Sequence, residues 1–380
     1  MTLPTDAGGH VLVYRDRLGV RSEVQFLRRL YSGFDRLAPV WLGCHVDANA
    51  DALGGPALRI GRNGALGALD RALFKQCGLV PPRPDLRALK PRLIHAHFGR
   101  GGALALPLAR ALHLPLAVTF HGGDATKETH YRRRAIPTIY QRRLTALQRE
   151  AALIHCVSDH IRDVLLARGF PPEKLRTIRL GIERDPPVAP DAGDGQPYLL
   201  FVGRFVEKKG AMHLLEALRL LRKRGEAPRL LMIGDGPLDG RLRRAAASLP
   251  EVRFLGWQAP AEVRARMRGA TALVVPSATA ATGDEEGLPT VVLEAMAQGT
   301  PVIGSRHSGI VEAVRNEEDG LLVPPADPKA LADAIGRVIH DEALRRRLGM
   351  AARHTVAERF DARTQSRCLE EALLSLTGLG

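Results

Sequence analysis

Short apolar runs rich in Val, Ile and Leu alternate with longer helical patterns, and this alternation constrains the fold more than any other feature. In the first half, strands are predicted at 10–14, 39–43, 93–98, 116–120, 153–157 and 175–178. Helical patterns separate them at 22–31, 102–112, 132–150 and 159–168. Strands that are apolar throughout, with helices between them, predict a parallel sheet covered on both faces.

The same alternation restarts after 184–197, a segment rich in Pro and Gly without periodicity that is typical of a linker. Strands are predicted at 198–202, 230–233, 252–255, 272–275, 301–303 and 321–323, and helices at 211–224, 238–248, 290–298, 328–340, 342–358 and 364–376. We therefore predict two doubly wound α/β domains, 1–183 and 198–360. The last helix, within 361–380, is expected to pack back toward the N-terminal domain. Ligands of such folds bind at the carboxyl ends of the strands, so we expect the active site in an inter-domain cleft.

Composition excludes several classes of protein. The 380 residues are 45% apolar and 25% charged, as in ordinary globular proteins rather than disordered or collagen-like chains. No uncharged apolar run approaches the length of about 18 residues that predicts a membrane-spanning helix. The first ten residues lack the pattern of a secretory signal, and the four cysteines are widely spaced. We expect a cytoplasmic protein with reduced thiols.

The net charge of +14 lies entirely in the first half of the chain. Residues 1–180 carry 28 Lys and Arg against 14 Asp and Glu, whereas residues 181–380 carry 27 against 27. Such an asymmetry indicates an anionic partner: nucleic acid, a phospholipid surface or a phosphorylated substrate. Since no aromatic and basic RNA-binding motif is visible, we expect no nucleic-acid partner.

One stretch concentrates this positive charge. Its seven bases are Lys127, Arg132, Arg133, Arg134, Arg142, Arg143 and Arg149. Its apolar residues are Tyr131, Ile136, Ile139, Tyr140 and Leu144. If the stretch is helical these form an apolar strip beside the bases, although Pro137 is expected to kink or restart the helix. The expected partner is an anionic membrane surface or a lipid-diphosphate acceptor; the alternative is a solvated helix that serves only solubility.

Histidines follow two strands of the first half. His95 and His97 alternate on one strand and therefore face the same side, where they either pack or line the acceptor side. They lack a third metal ligand. His121 follows the next strand and precedes Gly122 and Gly123, a position that favours a functional role over a core one. Asp124 is a candidate acceptor-side carboxylate.

A glycine motif in the second half imitates a dinucleotide fingerprint. Gly234, Gly236 and Gly240 follow a strand and precede a helix, but their G-x-G-x-x-x-G spacing differs from the fingerprint. No acidic residue ends a strand about 20 residues further on. We interpret the motif as a strand-to-helix turn and not as an NAD site.

The segment 276–304 carries the strongest chemical signal. A buried strand ends at Pro276, and after a loop a helix opens near Pro289 and Thr290, where free backbone N–H groups provide an anion site. Glu286 precedes this helix, and Glu294 follows eight residues later in its second turn. Two carboxylates flanking an anion-binding helix start fit one ligand with hydroxyls at both ends and a phosphate between them.

This E-x7-E pattern, followed by Ala-Met-Ala-Gln-Gly-Thr-Pro-Val-Ile, resembles the retaining GT-B glycosyltransferases of family four. The segments 201–210, 252–257 and 320–327 resemble that family's diphosphate loop, base-contacting turn and closing strand. In the first half, 18–23, 95–99 and 119–124 resemble the subgroup that builds bacterial exopolysaccharides such as colanic acid. The resemblance implies a GT-B fold, with two facing Rossmann-like domains.

The resemblance also implies a role for each matching residue. Glu294 would bind the ribose of the donor nucleotide, and Glu286 the hydroxyls of the donor sugar, with Glu285 as a neighbour that could exchange roles with it. Arg204 and Lys209 would pair with the diphosphate, with Lys208 as the alternative to Lys209. Gly287, Leu288, Pro289 and Thr290 would form the donor-binding helix start.

The remaining positions lie elsewhere in the sequence. Trp257 would lie in the turn that contacts the base, and His121 would contact the donor sugar near its 6-position. Gly19 would begin a loop whose backbone approaches the phosphate, although Leu18-Gly19-Val20 departs from the Gly-Gly pair of many relatives.

The function implied is transfer of a hexose from UDP- or GDP-hexose to a glycan or lipid-diphosphate-linked acceptor, with retained configuration and without a cofactor. Retention is attributed in this family to front-face attack, in which the departing phosphate oxygen accepts the acceptor proton. No D-x-D motif is present, so two cations would replace a metal. The alternatives are a sugar-nucleotide epimerase of this fold, or a basic membrane- or RNA-binding protein without catalysis.

Overall fold

The computed structural model describes residues 9–81, 86, 88–132, 135–183 and 196–378. The chain divides into two compact units, Met1–Gly181 with Ala362–Gly380 and Ile182–Asp361. Nearly all of the predicted linker at 184–197 lies outside the described residues, as do Arg133 and Arg134 of the basic stretch. Among the described residues, no helix combines the length and apolar character needed to cross a bilayer.

The first unit is built on a parallel sheet of seven strands. Its strands are β1 (His10–Tyr14), β3 (Ala38–Gly43), β5 (Ala57–Arg59), β6 (Pro91–His97), β7 (Leu116–Phe120), β8 (Leu153–Cys156) and β9 (Leu175–Thr177). They lie in the order β5-β3-β1-β6-β7-β8-β9, and β2 (Arg17–Leu18) pairs separately with β4 (His45–Val46). Every residue of β7 and β8 is buried, as expected for strands covered on both faces.

Helices connect these strands. They are α1 (Val24–Leu30), α2 (Gly64–Cys77), α3 (Gly99–Leu112), α4 (Gly123–Thr126), α5 (Glu128–Tyr131), α6 (Ile139–Glu150) and α7 (Asp159–Ala167), with short 3-10 helices at Ala48–Leu53 and Pro172–Lys174. The helix predicted at 132–150 is too long, because it begins only at Ile139. The preceding helix ends at Tyr131, and directly after Pro137 a capping box of Thr138 and Gln141 starts the new helix.

The second unit contains a six-stranded parallel sheet. Its strands are β10 (Tyr198–Val202), β11 (Arg229–Ile233), β12 (Val252–Gly256), β13 (Ala272–Val275), β14 (Val302–Ser305) and β15 (Leu321–Val323), in the order β12-β11-β10-β13-β14-β15. Its helices are α8 (Ala211–Lys223), α9 (Asp239–Ala245), α10 (Pro260–Gly269), α11 (Thr290–Gln298), α12 (Ile310–Ala313), α13 (Pro328–His340) and α14 (Glu342–Arg359). Short 3-10 helices lie at Glu207–Lys209 and Ala246–Ser248. The predicted alternation of strands and helices is thus confirmed in both units.

The last helix, α15 (Ala362–Leu374), belongs to the first unit although it follows the second in the chain. Its Glu370 is 4% exposed and accepts hydrogen bonds from the backbone N–H groups of Asp35, Arg36 and Leu37. Ser366 accepts another from Gly33 N and donates to Leu30 O. These buried bonds fix the returning helix to the segment between α1 and β3.

The strand order of each unit reverses at one place, and this place predicts where ligands bind. In the first unit the chain moves outward in opposite directions from β1 and β6, and in the second from β10 and β13. In open parallel sheets the crevice outside the carboxyl ends of these strands is the usual ligand site. The loops after β10 and β13 hold the predicted diphosphate and donor-sugar residues.

Candidate functional site

The loop after β10 carries positive charge and lies where the strand order of the second unit reverses. Gly203 and Arg204 follow the strand directly, and Lys208 and Lys209 end the short 3-10 helix Glu207–Lys209. The Arg204 side chain is exposed, and no hydrogen bond or ion pair joins it to the rest of the described chain. A Cβ at Gly203 would lie 3.4 Å from Lys209 Cε, so the Lys209 stem runs beside the residue that precedes Arg204.

Gly210 allows this loop to touch the loop after β13. Its φ is +67°, and a Cβ there would lie 1.7 Å from the carbonyl oxygen of Pro276. Any side chain would therefore separate the two loops. The backbone N–H of Ala278 also donates to Lys208 O at 3.0 Å. The cation-bearing and carboxylate-bearing loops are thus held together by backbone contacts.

Glu286 lies between the two lysines and is only 6% exposed. Lys209 Nζ is 3.1 Å and Lys208 Nζ 4.0 Å from Glu286 Oε1. Burial alone would raise the pKa of Glu286, but the charges of Lys209 and Lys208 outweigh burial and lower it. The carboxylate is therefore ionised and positioned to accept hydrogen bonds from hydroxyl groups.

The two lysines differ in what else they hold. Lys208 Nζ donates to Asp284 Oδ1 and to Glu285 O, both at 3.0 Å, and so anchors the 276–289 loop. Glu285 accepts a hydrogen bond from Thr279 Oγ1 at 2.7 Å. Glu285, predicted from the sequence as a neighbour that could exchange roles with Glu286, therefore has a structural contact of its own. Its carboxylate organises the loop.

Helix α11 begins at Thr290 after Pro289, and no side chain caps its N-terminus. The first-turn N–H groups are consequently available to an anion. Gly287, Leu288 and Pro289 form the buried approach to this helix start. Glu294 lies in the second turn and is half-buried, as the eight-residue spacing predicted.

Trp257 lies further along the sheet, after the edge strand β12. Its side chain is 47% exposed, and Gly256 before it adopts a left-handed conformation with φ of +67°. An exposed indole at the strand ends provides a flat apolar face for stacking.

The Gly234 and Gly236 motif has a structural explanation. A Cβ at Gly234 would lie 2.0 Å from Gly203 O, and a Cβ at Gly236 would lie 2.6 Å from Phe205 O. These glycines allow the loop after β11 to pack on the loop after β10. Pro237 precedes α9, which begins at Asp239.

In the first unit, His121 lies at the carboxyl end of β7 among aromatic rings. Its ring centroid is 4.6 Å from that of Phe98 and 5.2 Å from that of Phe26. Its Nε2 is 3.1 Å from Nδ1 of His97. Burial lowers the pKa of His121 well below its usual value, so its ring is neutral.

Asp124 holds the loop that carries His121. Its carboxylate accepts hydrogen bonds from His121 N and Gly99 N, both at 3.0 Å, and from Gly122 N at 2.9 Å. Burial raises its pKa, although these N–H groups act in the opposite direction. The residue considered from the sequence as an acceptor-side carboxylate therefore orients the backbone of the His121 loop.

Gly19 follows β2, and its carbonyl accepts a hydrogen bond from Asn49 Nδ2 at 3.4 Å. Arg15, which directly follows β1 in the chain, forms a two-point ion pair with Glu23, and both bonds are 2.8 Å long. The Arg15 guanidinium also lies 4.4 Å from the centre of the Phe98 ring. Sequence reasoning missed Arg15, although its position at the end of β1 could have indicated it.

The paired histidines are fully buried. His95 and His97 have ring centroids 4.7 Å apart and share the hydroxyl of Tyr31. In the part of the chain that the structure describes, no group of three or more His, Cys, Asp or Glu side chains could hold a metal ion. The prediction that both rings face the same side is confirmed, and of the two expected roles the structure shows packing.

Comparisons with known proteins agree with this geometry. The family model of glycosyl transferases group 1 matches residues 187–355, and that of glycosyltransferase family 4 matches residues 71–185. The crystal structure of Anabaena HepE with UDP and glucose superimposes with a TM-score of 0.77 at 20% identity, covering 97% of this chain and all of that one. The two parallel sheets and this match define a GT-B fold.

Two curated relatives establish the family. The amylovoran biosynthesis glycosyltransferase AmsK of Erwinia amylovora is 34% identical over 284 residues, 73% of this chain and 68% of that protein. The putative colanic acid biosynthesis glycosyltransferase WcaL of Salmonella typhimurium is 33% identical over 293 residues, 74% and 70%. The chain belongs to the group 1 glycosyl transferases and is a glycosyltransferase.

Proposed function

We propose that this glycosyltransferase moves a hexose from UDP- or GDP-hexose to a glycan or lipid-diphosphate-linked acceptor in exopolysaccharide synthesis, with retained configuration. The contact of Lys209, which lies in the same loop as Arg204, with the buried, ionised Glu286 is the observation that carries the proposal. A cationic loop next to a carboxylate suits a ligand with a diphosphate next to sugar hydroxyls. The names of AmsK and WcaL support the pathway, and the UDP and glucose in HepE support the donor class.

In this proposal each group of the second unit has a separate task. Arg204 and Lys209 stabilise the negative charge that grows on the diphosphate as the glycosidic bond breaks. Glu286 binds sugar hydroxyls, the start of α11 binds phosphate, Glu294 binds the ribose, and Trp257 stacks on the base. The acceptor oxygen bonds to the anomeric carbon on the face that the diphosphate leaves, and the acceptor proton passes to the leaving phosphate oxygen.

In the first unit, His121 and Gly19 are proposed to contact the same donor. The neutral ring of His121 would form a hydrogen bond with a sugar hydroxyl, and the backbone after Gly19 would approach the phosphate. Asp124 fixes the position of His121 through its backbone N–H.

We expect turnover to continue in excess chelator, because Arg204 and Lys209 would supply the charge that a metal supplies elsewhere. The measurement is release of nucleoside diphosphate from a panel of UDP-, GDP- and ADP-hexoses, with and without EDTA. NMR of the sugar first released by donor hydrolysis would show whether it keeps the anomeric configuration that it had in the donor. Activity that EDTA abolishes and Mg²⁺ or Mn²⁺ restores would contradict metal independence, and an inverted sugar would contradict retention.

We also propose that the first unit binds an anionic membrane surface, and the structure changes the residues involved. The apolar strip predicted beside the bases forms only in part: Ile136 is 87% exposed, but Tyr140 is 4% exposed and Tyr131 donates to Asp124 O. Arg143 is also half-buried and donates to the carbonyl oxygens of Ala103 and Lys75. Only part of the predicted stretch faces solvent.

A second apolar surface lies near the predicted strip. Helix α2 exposes Leu66 and Leu69, at 57% and 53%, and Leu79 after the helix is 59% exposed. Arg142 of α6 is exposed and donates to Gln76 of α2 at 3.2 Å, so the basic helix adjoins the apolar one. Leucines that enter the interface beside arginines that meet lipid phosphates are typical of peripheral membrane binding.

Sedimentation with vesicles tests this surface. The protein is expected to pellet with phosphatidylglycerol vesicles at low salt and to be released at high salt, because each base contributes about 1 kcal/mol near an anionic bilayer. Leu66→Asp combined with Leu69→Asp should leave the protein in the supernatant, whereas Leu166→Asp, at an exposed leucine of α7, should pellet normally. Wild-type protein that stays in the supernatant would favour the solubility alternative and a soluble acceptor.

A further inference from the structure

A continuous chain of hydrogen bonds crosses the sheet of the first unit and ends at His121. Its members, in order, are Ile178 O, His155, Thr119, His95, Tyr31, His97 and His121. The successive distances are 2.7, 2.8, 2.6, 2.7, 2.8 and 3.1 Å. Every ring nitrogen between the two ends has one partner, so the chain has no gap and no branch at its rings.

The interior members of this chain are shut off from water. His95, His97, His155 and Thr119 have no exposed surface, and Tyr31 is 7% exposed. Burial lowers the pKa of every histidine in the chain, that of His155 to about 4. Each ring is therefore neutral, with a proton on one nitrogen and a lone pair on the other.

The end at Ile178 sets the direction of the whole chain. A carbonyl oxygen can only accept, so His155 must carry its proton on Nε2 and accept at Nδ1. Thr119 has one hydroxyl proton, which it donates to His155 Nδ1. The Thr119 oxygen then accepts from Nε2 of His95.

The same assignment of one proton to each hydroxyl and each ring extends to His121. Since His95 donates from Nε2, its Nδ1 accepts the single hydroxyl proton of Tyr31. The Tyr31 oxygen accepts from Nε2 of His97, whose Nδ1 must then accept from Nε2 of His121. Nδ1 of His121 is left as a lone pair, and no described residue donates to it.

We propose that Tyr31, His95, His97, Thr119 and His155 are positioning residues that hold His121 in the tautomer protonated on Nε2, so that its Nδ1 accepts a hydrogen bond from a hydroxyl of the donor sugar. The sugar contact rests on the proposed function, whereas the tautomer follows from the hydrogen bonds and from the neutrality of the buried rings. The sugar hydroxyl must then act as the donor toward His121.

The chain sets an orientation and does not carry a proton away. A proton passed inward from His121 would come to rest on His155, whose buried ring disfavours charge and whose only further partner in the described part of the chain is a carbonyl that cannot be protonated. The state in which every ring of the chain is neutral is therefore the stable one. The hydroxyls of Tyr31 and Thr119 are the two links that can be removed without removing a ring.

The tautomer is measured on protein with ¹⁵N-labelled histidine, by long-range ¹H–¹⁵N spectra that distinguish protonated from bare ring nitrogens. The signals of His121 are those that disappear in His121→Gln. We expect wild-type His121 to be protonated on Nε2 and bare at Nδ1. In Tyr31→Phe and in Thr119→Val, which break the chain with little change in volume, we expect both tautomers to be populated.

Two control variants separate this effect from general damage to the core. Thr119→Ser keeps the hydroxyl and should keep the wild-type ring pattern. Tyr14→Phe removes the hydroxyl of another fully buried tyrosine, one that contacts Cys44 Sγ at 3.6 Å and lies outside the chain. It should also leave His121 unchanged.

Turnover provides the second readout. We expect kcat/KM to fall about fivefold in Tyr31→Phe and Thr119→Val, the effect of losing one hydrogen bond to the substrate, and to be unchanged in both controls. A wild-type His121 protonated on Nδ1, broken-chain variants that keep the wild-type pattern, or changed tautomers with unchanged kcat/KM would each overturn the proposal. If wild-type protein turns over no nucleotide sugar, the proposed function fails. The NMR spectra of His121 would still show whether the hydrogen-bond chain fixes its tautomer.

Discussion

Arg204→Ala is expected to lower kcat about 100-fold while the variant folds as the wild type does. Removing one preorganised group that stabilises transition-state charge typically costs about 10²–10³ in kcat. The charge on the leaving diphosphate grows as the glycosidic bond breaks, so the loss should fall on kcat more than on donor binding. The measurement is the steady-state rate of nucleoside diphosphate release from the preferred donor.

Arg204 gives a sharper test than Lys209 because of its surroundings. Its side chain is exposed, and no ion pair or hydrogen bond joins it to the described part of the chain. Loss of Lys209 would instead leave the buried Glu286 carboxylate with Lys208 at 4.0 Å in place of a partner at 3.1 Å, and a weakly compensated buried charge destabilises a fold. A lower rate in Lys209→Ala could therefore reflect damage to the loop.

The control is Arg346→Ala, which removes an arginine of α14 that, among the described residues, is paired only with Glu342 one helical turn away. Such a surface pair contributes about 0.2–0.5 kcal/mol, so both its rate and its melting temperature should match the wild type. An Arg204→Ala protein with a kcat within twofold of the wild type would show that Arg204 does not stabilise the leaving diphosphate.

The sequence predicted the sheets well because their strands are apolar on both faces. A buried run such as β7 has no alternative as a helix, since it is short and lies between two helical patterns. Helix α2 was missed because glycines interrupt it and two of its leucines face solvent, which obscures the amphipathic period. Helix α10 was also missed, although Pro260 and Glu262 provide a recognisable start.

The site could be predicted only as residue types at strand ends. The E-x7-E spacing placed Glu294 in the second turn of α11 correctly, because helix geometry is regular. The anchoring of Lys208 by Asp284, and the use of Asp124 by backbone N–H groups, depend on how loops fold back. Loop conformation follows from tertiary contacts that no local pattern encodes.

The histidine chain shows the same limit. The alternation of His95 and His97 indicated that they share a face, but their hydrogen-bond partners Tyr31 and Thr119 come from the end of α1 and from β7. Only strand order brings these residues into line. A polar residue toward the carboxyl end of each of several neighbouring apolar strands is a signal that could have indicated a buried network.

Glu294→Gln is expected to weaken nucleoside diphosphate binding by about 10- to 100-fold, because a hydrogen bond to a charged carboxylate contributes about 1.5–3 kcal/mol. Glutamine keeps the size of the side chain, and Glu294 is half-buried near the middle of α11, so the helix should persist. Glu216→Gln on α8 provides a control at an exposed glutamate of the same unit. Its affinity should equal that of the wild type.

Calorimetric titration of wild type, Glu294→Gln and Glu216→Gln with UDP and GDP tests the central claim that the E-x7-E segment is a nucleotide-sugar site. We expect the wild type and Glu216→Gln to bind one of the two nucleotides with the same Kd. Glu294→Gln is expected to bind that nucleotide at least tenfold more weakly. A Glu294→Gln protein with the wild-type Kd, or a wild-type protein that binds neither nucleotide, would contradict it.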